Sequence, residues 1–110
     1  MYFAGSWNML IDGDAVSVRV TQTGNTVSGI FTIGTVDFKF SGTVSADGQT
    51  VNGTWQDVAG SGSYNGPFVW QLKKNINQFV GSITNTPASY TGPWCGYRSG
   101  ASAPSPCLYP

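Results

Sequence analysis

Histidine and glutamate are missing from this 110-residue chain. Without histidine there is no Ser-His or Cys-His pair and no imidazole metal ligand. Without glutamate, every side-chain carboxylate is one of Asp12, Asp14, Asp37, Asp47 and Asp57. Charge is scarce: 9% of residues carry it, and the formal net charge is zero. With no clustered Lys/Arg to neutralise phosphates, a nucleic-acid partner is not expected. The turn aspartates do not supply the six to eight oxygens of a calcium site, so no metal and no cofactor are expected either. No apolar run approaches the roughly 18 residues of a membrane-spanning helix. Met1-Tyr2-Phe3 has neither the basic start nor the apolar stretch of a signal peptide, so a processed chain or a module of a longer one is expected. Helical periodicity is also missing. Disorder is excluded by what is abundant, since 14% of residues are aromatic.

Against those absences stands one recurring pattern, a glycine followed two residues later by a bulky side chain. It occurs as Gly5-Ser6-Trp7, Gly29-Ile30-Phe31, Gly42-Thr43-Val44, Gly53-Thr54-Trp55, Gly66-Pro67-Phe68, Gly81-Ser82-Ile83 and Gly92-Pro93-Trp94. In a strand, residues i and i+2 share a face, so each pair sets a hole beside a large group. A glycine inside a strand costs roughly 0.5–1 kcal/mol relative to alanine. Seven of them together rival the net stability of a small domain. Tight curvature with large side chains packed inside is the offset the pattern predicts.

Turn signals recur at short intervals: Asp12-Gly13, Gly24-Asn25, Gly34, Asp47-Gly48, 58–63, Lys74-Asn75 and 85–89. They divide the chain into strands at 3–11, 15–23, 26–33, 35–44, 50–57, 64–72, 77–84 and 90–98. All connections are hairpin-length, which predicts an all-β, eight-stranded antiparallel up-and-down barrel. A two-sheet sandwich is the alternative. Residues 1–98 form the barrel domain, and the Pro/Ser/Gly-rich segment 99–110 is a tail closing one end. Cys95 and Cys107 are expected to form a disulfide across that tail, worth about 3 kcal/mol and fitting a secreted or periplasmic protein.

Parity places Trp7, Met9, Ile11, Val16, Val18, Phe31, Phe38 and Phe40 inside. The same rule adds Val51, Trp55, Phe68, Trp70, Leu72, Phe79, Ile83 and Trp94. In a meander, alternate turns fall at opposite ends. Turns 24–25, 47–48 and 74–75, the chain start and the tail make a closed end; turns 12–13, 34, 58–63 and 85–89 make an open mouth. Asp14, Asp57, Tyr64, Asn85 and Tyr90 share inward parity at that mouth, above a floor of Trp55, Phe68 and Trp94. Apolar walls with a few placed polar groups are the usual make-up of a ligand pocket. Arg98 has inward parity at the closed end, near Trp7, and predicts a cation–π latch.

With Gly5-Ser6-Trp7 on the first strand and Arg98 on the last, the chain resembles the calycin superfamily of lipocalins, fatty-acid-binding proteins and avidins. Asn52-Gly53-Thr54-Trp55 looks most like the avidin group. The resemblance implies the barrel and the Trp7–Arg98 latch. It does not imply biotin binding, because the avidin asparagine two residues past the tryptophan is Met9 here.

The leading functional expectation is a non-catalytic extracellular binding module whose mouth takes an apolar or amphipathic small molecule, or a saccharide. One alternative is a small glycoside hydrolase using Asp14 and Asp57 as its carboxylate pair. The other is an interaction or inhibitor domain. Ile30, Val69 and Val80 are apolar at outward positions, and Val69 and Val80 would support a homodimer through strands six and seven.

Overall fold

A computed structural model describes residues 2–107. Its strands are β1 (Gly5–Ile11), β2 (Asp14–Thr23), β3 (Thr26–Ile33), β4 (Val36–Val44), β5 (Thr50–Asp57), β6 (Asn65–Leu72), β7 (Gln78–Asn85) and β8 (Tyr90–Tyr97). Each begins and ends within two residues of its expected bounds. Every strand pairs antiparallel with its neighbours in sequence, and β8 returns to β1 through pairs such as Met9 with Gly96 and Ile11 with Trp94. The sheet is therefore a closed barrel and not a sandwich. Period-two patterning drives it: in β4, Phe38, Phe40, Gly42 and Val44 are buried while Asp37, Lys39, Ser41 and Thr43 are exposed.

The interior is filled by rings. Trp70 sits at the centre with no exposed surface. Its ring centroid lies 4.5 Å from Phe79, 5.2 Å from both Phe68 and Trp94, and 5.4 Å from Phe40. The inward glycines serve that packing in two ways. At some positions they admit rings: a Cβ on Gly29 would enter the Phe40 ring, and one on Gly96 the Phe79 ring. At others they admit backbone. A Cβ on Gly53 would strike the Ser41 carbonyl, one on Gly66 the Thr84 carbonyl, and one on Gly81 the Val69 carbonyl. Gly42 and Gly53 face each other across β4 and β5 with the Phe68 ring against both. The expected penalty of strand glycine is thus offset by close strand approach and aromatic burial.

Loop length does not distinguish the two ends. The closed end carries five-residue connections at 45–49 and 73–77, longer than the tight turns expected at 47–48 and 74–75. What seals it is Phe3, which is fully buried and lies 5.9 Å from Trp70 and 6.5 Å from Trp7. The Trp7 indole N–H donates to the Phe3 carbonyl at 2.8 Å. The guanidinium carbon of Arg98 lies 4.1 Å from the Trp7 ring centroid. Its Nη2 donates to the carbonyls of Tyr2 (2.8 Å) and Ala4 (2.9 Å), and its Nη1 reaches that of Ser6 at 3.4 Å. One planar cation thus stacks on an indole and gathers three carbonyls of the entering chain, which suits the forked donor geometry of arginine.

The tail leaves this end. It turns at Arg98–Ala101 and runs back along the outer wall, where the Gln78 side chain donates to the Ser102 carbonyl. Cys107 then bonds to Cys95, with 5.1 Å between their Cα atoms. Cys95 lies between inward Trp94 and Gly96 and so points outward, yet it is fully buried because the tail covers it. The β7–β8 ladder lapses between Phe79–Gly96 and Ser82–Pro93, and there the Gly81 N–H donates to the Cys107 carbonyl at 3.3 Å. On the same outer wall, Val69 and Val80 are half-buried, whereas Ile30 on β3 is exposed.

Candidate functional site

At the mouth the aromatic filling stops short of the rim and leaves an open pocket of about 310 Å³. Its walls are inward residues near the ends of five strands: Ile11, Phe31, Phe38, Trp55 and Ile83. Phe31 stacks on Phe38 at 5.2 Å and meets Trp94 edge-on at 5.4 Å. The Trp55 indole is fixed by its N–H, which donates to the Thr84 carbonyl at 2.9 Å. Around the rim stand Asp12, Asp14, Tyr64, Asn85 and Tyr90. Tyr64 is exposed and packs edge-on against Phe38 at 5.7 Å.

Of the eight residues expected at the ligand site, Asp14, Trp55, Tyr64, Asn85 and Tyr90 line this pocket. Phe68 and Trp94 do not. They lie deeper, in contact with each other at 5.0 Å, and Trp94 directs its indole N–H to the Met9 sulfur. Parity gave their direction correctly but not their depth, and the layers above them close them off. Asp57 also stands apart. Its Oδ2 accepts the Ser61 N–H at 2.9 Å, while its backbone carbonyl accepts the Gly60 N–H. The carboxylate therefore braces the β5–β6 loop. The Ser61 N–H holds its pKa below the usual 3.8, with the Ser61 hydroxyl helping and burial opposing. A general acid in glycoside hydrolysis needs the opposite shift. Its Oδ1 is buried without a hydrogen-bond partner among the described residues.

Asp12 is the mouth residue that reading by parity missed. Asp12 and Gly13 both have positive φ (49° and 88°), the geometry of a type I′ hairpin turn. This swings the Asp12 carboxylate back over the barrel, where the Tyr90 hydroxyl donates to its Oδ1 at 2.8 Å. The Asp12 N–H donates to the Pro93 carbonyl at 2.8 Å. Gly92 leaves the necessary room, since a Cβ there would lie 2.5 Å from that same Oδ1. Asp12 holds the Tyr90 phenol above its ordinary pKa of 10.0, first through this hydrogen bond and then through its charge. The sequence clue was the Asp-Gly turn; barrel closure brings it against the start of β8.

A second concavity, of about 500 Å³, lies outside the β5–β6 loop. Outward Thr54, Gln56, Asn65 and Pro67 border it, and Trp55 and Tyr64 form its boundary with the mouth pocket.

Charge is sorted along the barrel axis. Asp12, Asp14, Asp37 and Asp57 lie at or beside mouth turns, Lys73, Lys74 and Arg98 lie at the closed end with Asp47, and Arg19 and Lys39 lie between, at outward positions within β2 and β4. A chain with no net charge thus has an acidic mouth. The closed meander is compatible with a calycin-like barrel. No protein-family model matches the chain, and neither a curated protein nor a solved structure shows significant similarity to it.

Proposed function

We propose that this barrel is a non-catalytic binding module that takes an apolar or amphipathic small molecule at its open mouth. The observation that carries this reading is the 310 Å³ pocket with aromatic and aliphatic walls and a polar rim. Ligand sites are commonly built that way, at the lower end of this size range. An apolar cavity of about 150 Å³ holds benzene, so the mouth suits a ligand of one or two rings. The Cys95–Cys107 disulfide fits an oxidising compartment, which supports an extracellular or periplasmic setting.

A second reading draws on the outer groove. Thr54, Gln56 and Asn65 beside Tyr64 offer the amide, hydroxyl and aromatic groups that a saccharide uses. A library of neutral aryl fragments and simple sugars, titrated while backbone amide resonances are followed, separates the two. Aryl fragments are expected to shift residues around Ile11, Phe38, Ile83 and Tyr90. The substitution Val36→Trp is expected to block them, because Val36 lines the pocket from a position 37% exposed and an indole there would fill it. Shifts confined to Thr54, Gln56 and Asn65 on adding sugars would move the function to the groove. No shift at either surface would refute both readings.

A further inference from the structure

We infer that the ligand of the mouth carries a positive charge: an aryl or alkyl ammonium whose apolar body rests on the aromatic walls and whose cation sits at the rim. This rests on the mouth-binding reading and narrows it to one chemical class. Three features of the structure converge on it. First, among the described residues none of those lining the pocket is Lys or Arg, while two are aspartates. An anionic ligand would meet like charge with nothing to neutralise it.

Second, the carboxylates of Asp12 and Asp14 offer acceptor oxygens at the rim, beside the Tyr64 hydroxyl and the Asn85 amide, which can also donate. Tyr90 spends its hydroxyl proton on Asp12 and engages one of that carboxylate's two oxygens. Asp14 is exposed at the start of β2, across the turn from Asp12. An ammonium group supplies up to three N–H donors and no acceptor, which complements these carboxylates. Third, the faces near the rim are aromatic. Phe38, Trp55, Tyr64 and Tyr90 all line the pocket, and a ligand cation within about 6 Å of such rings is attracted by their quadrupoles. The sorting of charge along the axis adds a long-range component, because an acidic mouth on a barrel with a basic far end draws cations toward the pocket.

Three probes of similar shape test the idea: 2-phenylethylammonium, 2-phenylethanol and 3-phenylpropionate. Each is titrated into the intact protein, with mouth amide shifts giving the affinity. The ammonium is expected to bind roughly tenfold tighter than the alcohol, and the carboxylate weakest. The preference should shrink as ionic strength rises, because rim charges are screened. It should also shrink in Asp14→Asn, whose exposed side chain can change without disturbing the core. Equal affinity for the alcohol and the ammonium would overturn the charge inference while leaving mouth binding in place. Failure of all three probes to shift mouth residues at millimolar concentration would overturn both. Tighter binding of the carboxylate would overturn the inference outright.

Discussion

The two ends of this barrel are built from the same alternating strands but are finished in opposite ways. At the closed end, Phe3 plugs the interior, and one arginine stacks on Trp7 while serving three carbonyls. Ser45 donates to Asp47 there, and Gln78 accepts from Asn75 and donates to the Ser102 carbonyl. At the mouth, the aromatic filling stops at Phe31 and Phe38, and the polar groups stand around an open pocket. Large side chains are left exposed at both ends, Val36, Val58, Tyr64 and Tyr90 at the mouth and Tyr2 and Ile76 at the closed end, so exposure alone does not mark the site. The contrast teaches that parity alone does not make a site. A site forms where the inward row runs out before the barrel does.

The largest effect should come from the part both ends share. Trp70→Ala is expected to cost about 3–5 kcal/mol, a large fraction of the stability of a domain this size. It should loosen both ends together, seen as one cooperative shift of the denaturant midpoint. Breaking the Cys95–Cys107 bridge comes next, at about 3 kcal/mol for a loop of this length. The double substitution to serine should lower the midpoint, while mouth amide resonances stay in place, since the tail lies on the outer wall of β7 and β8.

A smaller effect separates the ends. Arg98→Ala should cost about 1–3 kcal/mol, through the lost cation–π contact and carbonyls left without their charged donor. Arg98→Lys should recover only part of this, because an ammonium cannot reproduce the planar fork. Native-state hydrogen exchange is expected to rise around Tyr2–Ser6 and not around Tyr90. Equal loss of protection at the mouth would show that the two ends are energetically one unit.

The most delicate test uses pH. Asp47 at the closed end and Asp57 at the mouth are both held below 3.8. For Asp47 the Ser45 hydroxyl is the largest cause, and for Asp57 the Ser61 N–H is. A depressed carboxylate pKa contributes stability above the unfolded value and loses it as pH falls through the folded one. Acid should therefore weaken both ends below about pH 4. Alkali should discriminate. The Tyr90 pKa is raised, so its contribution is complete below 10.0 and is lost as pH rises through the higher folded value. In a spectroscopic titration of tyrosinate, Tyr90 is expected to ionise late, and Asp12→Asn should bring it back toward the ordinary value.

Much of the architecture was legible because it follows from local rules. Phe38, Phe40 and Val44 alternate with polar residues, and Asp12-Gly13 and Gly24-Asn25 mark turns, so strands and their faces could be read directly. Trp7 and Arg98 could be matched because both lie near strand ends whose positions the turn count sets. What could not be read was depth and direction across the barrel. Phe68 and Trp94 have the right face but lie beneath Phe31 and Phe40. Asp57 has inward parity, yet its carboxylate is drawn sideways by an N–H four residues on in the chain. Asp12 read as a turn residue because its partner, Tyr90, is 78 residues away in the chain.

By itself, the sequence determined the strands, their inward faces, the meander and the need for glycine beside bulky groups. These depend on period, turn chemistry and side-chain volume, all of which are local. Only the tertiary structure decided where each glycine meets a ring or a carbonyl, which aromatics reach the mouth, and how charge is sorted between the ends. Those outcomes depend on closure of β8 onto β1 and on the stagger between strands, which bring together residues that no spacing along the chain relates.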